Sequence, residues 1–292
     1  MKIGIIGGGA IGLLVSSYLS SVHDVTIYVR RPEQREELIK DGIHVTNSSK
    51  VNCVRSLTID EMNKEDCLII CTKQQQVQDV LQHIHNKNNH SFLIFLQNGM
   101  GHIDLLKKIG QPVLVGIVEH GALKLDDHTV QHTGNGMIKL AAFSKGILDI
   151  DRLVFELNQP EFPVVAVDGW RKLLHGKLIV NAVINPLTAM FGVRNGDIIA
   201  NPYIYELAKA LCRETARVLE LDFPEQLQCV TAVISNTSEN VSSMLKDIQA
   251  PRQTEIDAIT GYILTISKKE IPYTTFVYHS VKALEMKKGI RY

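Results

Sequence analysis

No apolar run in this chain approaches the roughly 20 residues that a bilayer-crossing helix needs, so a membrane span is not expected. Net charge is missing too. Lys plus Arg and Asp plus Glu stand at 31 each, which removes any overall field favouring nucleic acid or an anionic membrane and leaves only local basic sites open. Cysteine is scarce, and its five copies are odd in number. Only Cys67 and Cys71 lie near each other, within one apolar strand, so a disulfide framework or a metal site is not expected. The reading is reduced thiols in a cytoplasmic protein. Long repeats and low-complexity linkers are absent. Lys2 and the small apolar residues after it could pass for a signal peptide, but regularly spaced glycines followed by a strand argue against that. What remains is a 292-residue chain, 45% hydrophobic, able to bury a large core and long enough for two domains.

The first half reads as short apolar strands alternating with helical crossovers: Lys2–Ile6, Asp24–Val29, Cys67–Thr72, Phe92–Gln97, Val113–Val118 and Val164–Val167. Such alternation predicts a parallel, helix-covered sheet. Beyond Asp168 the periodicity changes to 3.6. Helices are predicted over Trp170–Phe191, Tyr203–Leu221, around Glu239–Ile248, over Pro251–Lys269 and over Thr274–Lys288. The expected partition is a βα domain at 1–167 and a helical domain at 168–292. Pro186 lies inside the first long helix, where it removes a backbone bond and crowds the carbonyl of Ala182, so a kink or break beside Asn185 is expected.

Gly7, Gly9 and Gly12 form G-x-G-x-x-G directly after a strand and at the opening of a helix. The first glycine permits a tight turn, the second lets backbone approach a pyrophosphate, and the third allows close helix–strand packing. The helix start offers free N–H groups to phosphate. Gly8, Ala10 and Ile11 complete this dinucleotide-binding turn. A site preferring NAD would carry an acid after the second strand; here Arg30 and Arg31 follow Val29. A guanidinium there suits a 2′-phosphate, so NADPH/NADP+ is expected, with Glu33 as the residue that could instead reach a plain ribose hydroxyl. Lys73 and Asn98 also follow strands. That address lines the ligand crevice of a parallel sheet, although either alone reads equally as a loop residue.

Lys177, Asn181 and Asn185 recur at i, i+4 and i+8, a polar stripe on one face of an otherwise apolar helix. Buried polar groups without partners are costly. These either bond one another, line a cleft for a polar ligand, or form a wet seam at an interface. Glu255 borders the apolar row Ile256, Ile259, Ile263 and Ile266, and can be a functional carboxylate or an ordinary first-turn acid. Ser242 and Ser243 read as helix caps or anion ligands. His83, His85 and His90 resemble a metal tract, but their Asn- and Lys-rich surroundings read as a solvated loop.

Taken in order, Gly7–Gly12, Arg30, Thr72-Lys73, Gln97-Asn98-Gly99-Met100, Lys177-Leu178-Ile179-Val180-Asn181, Asn185-Pro186-Leu187-Thr188-Ala189, Asn195-Gly196, Ser242–Asp247 and Thr254–Asp257 make the chain resemble the ketopantoate reductases (2-dehydropantoate 2-reductases) over nearly its whole length. The resemblance implies an α/β architecture, with an N-terminal Rossmann-type NADP-binding domain and a C-terminal all-helical domain closing over it. It implies reduction of ketopantoate to pantoate, on the route to pantothenate and coenzyme A. It makes Lys177 the catalytic acid and Asn181, Asn185, Asn195, Asn240 and Ser243 substrate contacts. Glu255 would lie near the substrate hydroxyl and the nicotinamide ribose, with Arg30, Lys73, Asn98 and Ala122 on the cofactor side. The partner is a small 2-keto acid, with no nucleic acid or membrane, and a homodimer is left open.

One departure stands out. The family often carries Trp-x-Lys-Leu at the catalytic lysine, whereas Leu174-His175-Gly176-Lys177 stands here and Trp170-Arg171-Lys172-Leu173 offers a rival register upstream. Asn181 and Asn185 fall at the expected offsets only from Lys177. Two other functions use the same pattern: a reductase of another branched 2-keto acid, and a non-catalytic NADP sensor. The intact set Lys177, Asn181, Asn185 and Glu255 argues against the sensor, which needs none of them.

Overall fold

The protein is described by a computed structural model covering residues 1–46, 51–87, 91–144 and 150–290. Two compact units emerge: Met1–Gln97 with Ile103–Leu173, and Asn98–His102 with Leu174–Tyr292.

The first unit is built on strands β1 (Lys2–Ile6), β2 (Asp24–Val29), β3 (Ile43–Val45), β4 (Val51–Asn52), β5 (Arg55–Thr58), β6 (Cys67–Ile70), β7 (Phe92–Phe95), β8 (Val113–Val118), β9 (Gly121–Lys124), β10 (Thr129–Gly134), β11 (Ile138–Ala142) and β12 (Val164–Ala166). Eight of them form one sheet in the order β12-β11-β8-β7-β6-β1-β2-β5. From β8 to β5 the pairing is parallel, and β6 and β8 are buried along their whole length. That continuous burial explains why they read as unbroken apolar runs: parallel strands with both faces covered have no polar side to alternate. Helices α1 (Ala10–Leu19), α2 (Pro32–Asp41), α3 (Val77–Lys87), α4 (Ile103–Leu106) and α5 (Ile150–Leu157) are interleaved with them.

Two features depart from the uniform parallel sheet expected. β11 pairs antiparallel with β8, and β12 follows β11 in parallel, so this edge runs opposite to the rest. In addition, β4-β3-β10-β9 form a separate four-stranded sheet. Its β3–β10 pairing joins residues far apart in sequence, such as His44 and Thr129, and local periodicity carries no trace of such a partnership. Between the α1 side and β10 lies a ring cluster. Tyr18 and His120 both stack on Phe162, the Tyr18 hydroxyl bonds His132 Nδ1 at 3.0 Å, and His132 Nε2 bonds His120 Nδ1 at 3.1 Å. Burial and the neighbouring His132 lower the His120 pKa to about 4.

Past β12 every regular element is helical: α6 (Trp170–Phe191), α7 (Asp197–Ala200), α8 (Pro202–Val218), α9 (Phe223–Asn236), α10 (Ser243–Gln249), a π turn over Asp257–Gly261, α11 (Tyr262–Ile266) and α12 (Pro272–Lys287). Among the described residues, no helix is long and apolar enough to cross a membrane. Three expectations need correcting. α6 is not broken at Pro186 but runs on to Phe191, with Thr188 Oγ1 bonded to the Ile184 and Asn185 carbonyls in the next turn. The long helix expected over Pro251–Lys269 does not exist; helix begins only at Ile256, opens as a π turn and stops at Ile266. α9 fills a stretch to which periodicity assigned nothing. Its start is nonetheless written in Asp222-Phe223-Pro224-Glu225, where the Asp222 side chain accepts from Glu225 N at 2.9 Å.

Candidate active site

β6, β1 and β2 are adjacent and parallel, so their carboxyl ends lie side by side. The glycine turn follows β1, Arg30 follows β2, and Lys73 follows β6. Register alone therefore brings together three pieces that are distant in sequence. They line a cavity of about 500 Å³, with Gly7, Gly8, Gly9, Arg30 and Lys73 among its walls. Gly7 adopts φ +113°, a left-handed conformation that a side chain resists. A Cβ at Gly12 would fall 1.8 Å from the Gly7 carbonyl oxygen, so this third glycine is what lets α1 close onto the turn. Gly9 faces open space, with nothing within 4 Å of its virtual Cβ. Ala10 and Ile11 open α1 itself.

The turn is braced from behind. Gln34 Nε2 donates to the Gly8 carbonyl at 2.8 Å and to the Asp127 carbonyl at 2.9 Å. Lys124 Nζ donates to the same Gly8 carbonyl at 3.0 Å and to Asp127 Oδ1 at 2.8 Å. Arg31 completes the group by pairing with Asp127. Desolvation raises the Asp127 pKa, but the hydrogen bonds and charges of Lys124 and Arg31 outweigh it, and the carboxyl is held below the usual range. Both arginines after β2 are exposed and line the cavity, and Arg31 in addition braces the turn through Asp127. Glu33 is exposed on α2 and is not among the lining residues.

His83 is a correction. It is no solvated loop residue but part of α3, and it lines the same cavity with its Nε2 3.2 Å from Asp60 Oδ1. His90 lies outside the described residues. Ala122 sits on β9, packed against the core, and does not line the cavity.

The other expected residues belong to the second unit. Lys177 and Asn181 are partly buried along α6, and Asn185 is buried one turn further on. Thr188 Oγ1, whose hydrogen goes to the backbone carbonyls, joins the Asn185 turn to Ser242 by a hydroxyl–hydroxyl bond at 2.6 Å. Ser242 is the cap of α10, accepting from Leu245 N at 3.1 Å, and Ser243 is left exposed at the first helical position. Ser242 thereby fills the cap role of the pair. Asn195 and Asn240 come together through a backbone bond, Asn195 N to Asn240 O, at 3.0 Å. Asn195 is 7% exposed, and its Oδ1 is buried without a hydrogen-bond partner, a feature suited to a donor arriving with a ligand.

Asn98 does not share the cavity of the glycine turn; its Nδ2 donates to Glu255 Oε2 at 3.0 Å. Met100 N donates to the Ala258 carbonyl at 3.0 Å, and Gly99, at φ +77°, passes so close that a Cβ would meet the Ala258 oxygen at 2.3 Å. Glu255 itself stands in the bend just before the π turn, not one turn inside a helix.

Residues 3–145 match the family model for ketopantoate reductase PanE/ApbA, and residues 170–285 match the model for its C-terminal portion. The chain belongs to this family. A 2-dehydropantoate 2-reductase of Bacillus subtilis (strain 168) is 42% identical over 98% of both chains. One from Listeria monocytogenes is 33% identical, covering 98% of this chain and 97% of the relative. The crystal structure of a probable 2-dehydropantoate 2-reductase from Bacillus subtilis superposes with a TM-score of 0.89 at 41% identity, over 97% of this chain and 100% of the other. Family membership accounts for the order of motifs along the chain. Gln34, Lys124 and Asp127 brace the glycine turn only because distant stretches of the chain meet behind it, which leaves no local signature in sequence.

Proposed function

We propose that this protein is an NADPH-dependent 2-dehydropantoate 2-reductase, reducing the ketone of ketopantoate to the alcohol of pantoate. The observation that carries the cofactor half is the cavity with Gly7–Gly9 on one wall and Arg30 and Lys73 on others. Residues present there suit NADPH: close backbone approach for a pyrophosphate at the glycines, and cations for the phosphates at Arg30 and Lys73. When bound, the reduced nicotinamide supplies the two electrons and one hydrogen that the ketone carbon accepts.

The chain's own residues do the rest. As the carbonyl carbon is reduced, negative charge grows on its oxygen, and the Lys177 ammonium stabilises that charge and delivers the proton. Asn181 and Asn185, on the same face of α6, hold the polar groups of the keto acid and fix its approach. Asn195, with its partnerless buried Oδ1, accepts a hydrogen bond from the substrate. Ser243 and Asn240 add polar contacts. Glu255, steadied by Asn98, orients the substrate hydroxyl side.

The test is Lys177→Ala, assayed for NADPH oxidation with ketopantoate and a panel of other 2-keto acids. Loss of a positioned proton donor should lower kcat by about 10²–10⁴-fold. NADPH affinity and Tm should hardly change. A folded variant keeping more than about a tenth of wild-type kcat would eliminate Lys177 as the acid. Preference for a different keto acid would keep the chemistry and replace the substrate.

A further inference from the structure

Glu255 owes its position to residues of α12 that lie outside every motif described so far. On its N-terminal side, Thr254 is fully buried, and both its N–H and its Oγ1 donate to Glu285 Oε1, at 2.8 and 2.7 Å. Thr254 Oγ1 in turn accepts from Ile256 N at 3.2 Å, so this hydroxyl spans the Glu255 step. On the C-terminal side, Asp257 accepts from the Tyr278 hydroxyl at 2.8 Å and from Lys282 Nζ at 3.0 Å. Lys282 also lies 3.4 Å from Glu285 Oε2 and thereby ties the two ends together. Glu285, Lys282 and Tyr278 lie one helical turn apart on α12, at i, i+3 or i+4 spacing, so a single helix face grips the chain before and after Glu255.

The π turn that follows belongs to the same arrangement. Its widened ladder, with Tyr262 N bonded to Asp257 O, accompanies the Ala258 carbonyl accepting from Met100 N, beside the Asn98–Glu255 bond. π turns recur at functional sites because they re-aim groups that an α-helix would hold in register. Glu285 is 0% exposed. A carboxylate so deeply buried costs heavily unless it is paired, and here Oε1 accepts both Thr254 donors while Oε2 faces Lys282, which also holds Asp257.

We propose that Glu285, assisted by Lys282 and Tyr278, is a positioning residue that fixes the Glu255 carboxylate against Asn98. This deepens the reading of Glu255 given above and rests on it. The chain supplies its own control. Glu214 is another buried carboxylate that accepts from a threonine's N–H and Oγ1, those of Thr274, at 2.8 and 2.7 Å, and it caps the far end of α12. Glu214→Gln and Glu285→Gln thus make the same change, removing the charge and turning one acceptor oxygen into an amide N–H, but only the second touches the Glu255 segment.

The experiment is a double-mutant cycle with Glu255→Gln, read as kcat/KM for ketopantoate, together with crystal structures of the single variants. Glu285→Gln should lower kcat/KM by about 10–100-fold, as expected for a group displaced by up to ~1 Å. In the Glu255→Gln background the same change should cost no more than about twofold, because its route of action is gone. Glu214→Gln should lower Tm while leaving kcat/KM within about twofold. The crystal structure of Glu285→Gln should show the Asn98–Glu255 bond lost or lengthened. That readout needs no turnover, so it judges the positioning claim even where the assigned substrate proves wrong. Equal losses in both backgrounds, or an unchanged Asn98–Glu255 distance, overturn the inference. A Glu255→Gln variant with unchanged kcat/KM, together with a displaced bond in Glu285→Gln, overturns the role assigned to Glu255 and upholds the positioning of its carboxylate by Glu285. Should Glu285→Gln fail to fold, Tyr278→Phe releases the other end of the grip and is judged by the same cycle.

Discussion

At the scale of single residues, the sharpest division is between two neighbours of identical chemistry. Both line the cavity, but Arg31 shares its charge with Asp127 beside the glycine turn, a pairing Arg30 does not make. Selectivity for NADPH over NADH should therefore depend on Arg30. Arg30→Ala is expected to weaken NADPH by about 1.5–3 kcal/mol, the worth of a hydrogen bond to a charged group, and to leave NADH nearly unchanged. Isothermal titration with both cofactors checks this, and equal losses for the two would remove the 2′-phosphate role. The sequence placed both arginines at the right strand end but held no information on which one the neighbouring Asp127 would claim. His83 makes the same point in reverse. Read along the chain it belongs to a polar stretch; only folding of α3 against the 59–61 turn brings it to Asp60 and the cavity wall.

At the scale of elements, the strand–glycine–helix unit at the start of the chain was fully legible, because each glycine answers a local steric demand. Two substitutions separate those demands. Gly12→Ala puts a methyl 1.8 Å from a backbone oxygen and cannot be absorbed by a side-chain shift. It should cost more than about 2 kcal/mol and lower Tm by about 5 °C or more. Gly9→Ala has free space around it and should fold with unchanged Tm, while weakening cofactor binding where backbone approach matters. Thermal melts of both variants, with and without NADPH, check the pair. The continuity of α6 through Pro186 was not legible, but its bounds were, from its 3.6 period. The segment before α11 was not. Its helical pattern is real, but Glu285, distant in sequence, captures Thr254 N and delays the helix start to Ile256. The β3–β10 pairing was invisible for the same reason: its determinant is a partner, not a pattern.

At the scale of the whole molecule, proton binding links the core of the first unit to pH. His120 holds a pKa of about 4 in the fold, against 6.5 as an unperturbed group. As pH falls from about 6.5 towards about 4, the unfolded chain takes up a proton that folded His120 refuses, so stability falls over that window. Above it the group contributes no slope. Chemical denaturation at several pH values should show wild-type stability declining more steeply with acid than that of His120→Gln. Identical slopes would mean that His120 is protonated in the fold or contributes nothing.

The allocation of residues 98–102 has a practical consequence. The polypeptide leaves the sheet unit after Gln97, spends five residues in the helical unit, returns at Ile103 and departs for good after Leu173. A gene cut once at that last crossing would yield an amino-terminal fragment carrying Asn98 and Met100 without the Glu255 and Ala258 they bond, and a carboxyl-terminal fragment with those acceptors vacant. Neither product would be a self-sufficient module. Fragment complementation, domain grafting and chimeras between relatives therefore have to carry this short excursion together with the helices it serves, even though it is encoded in the middle of the other half.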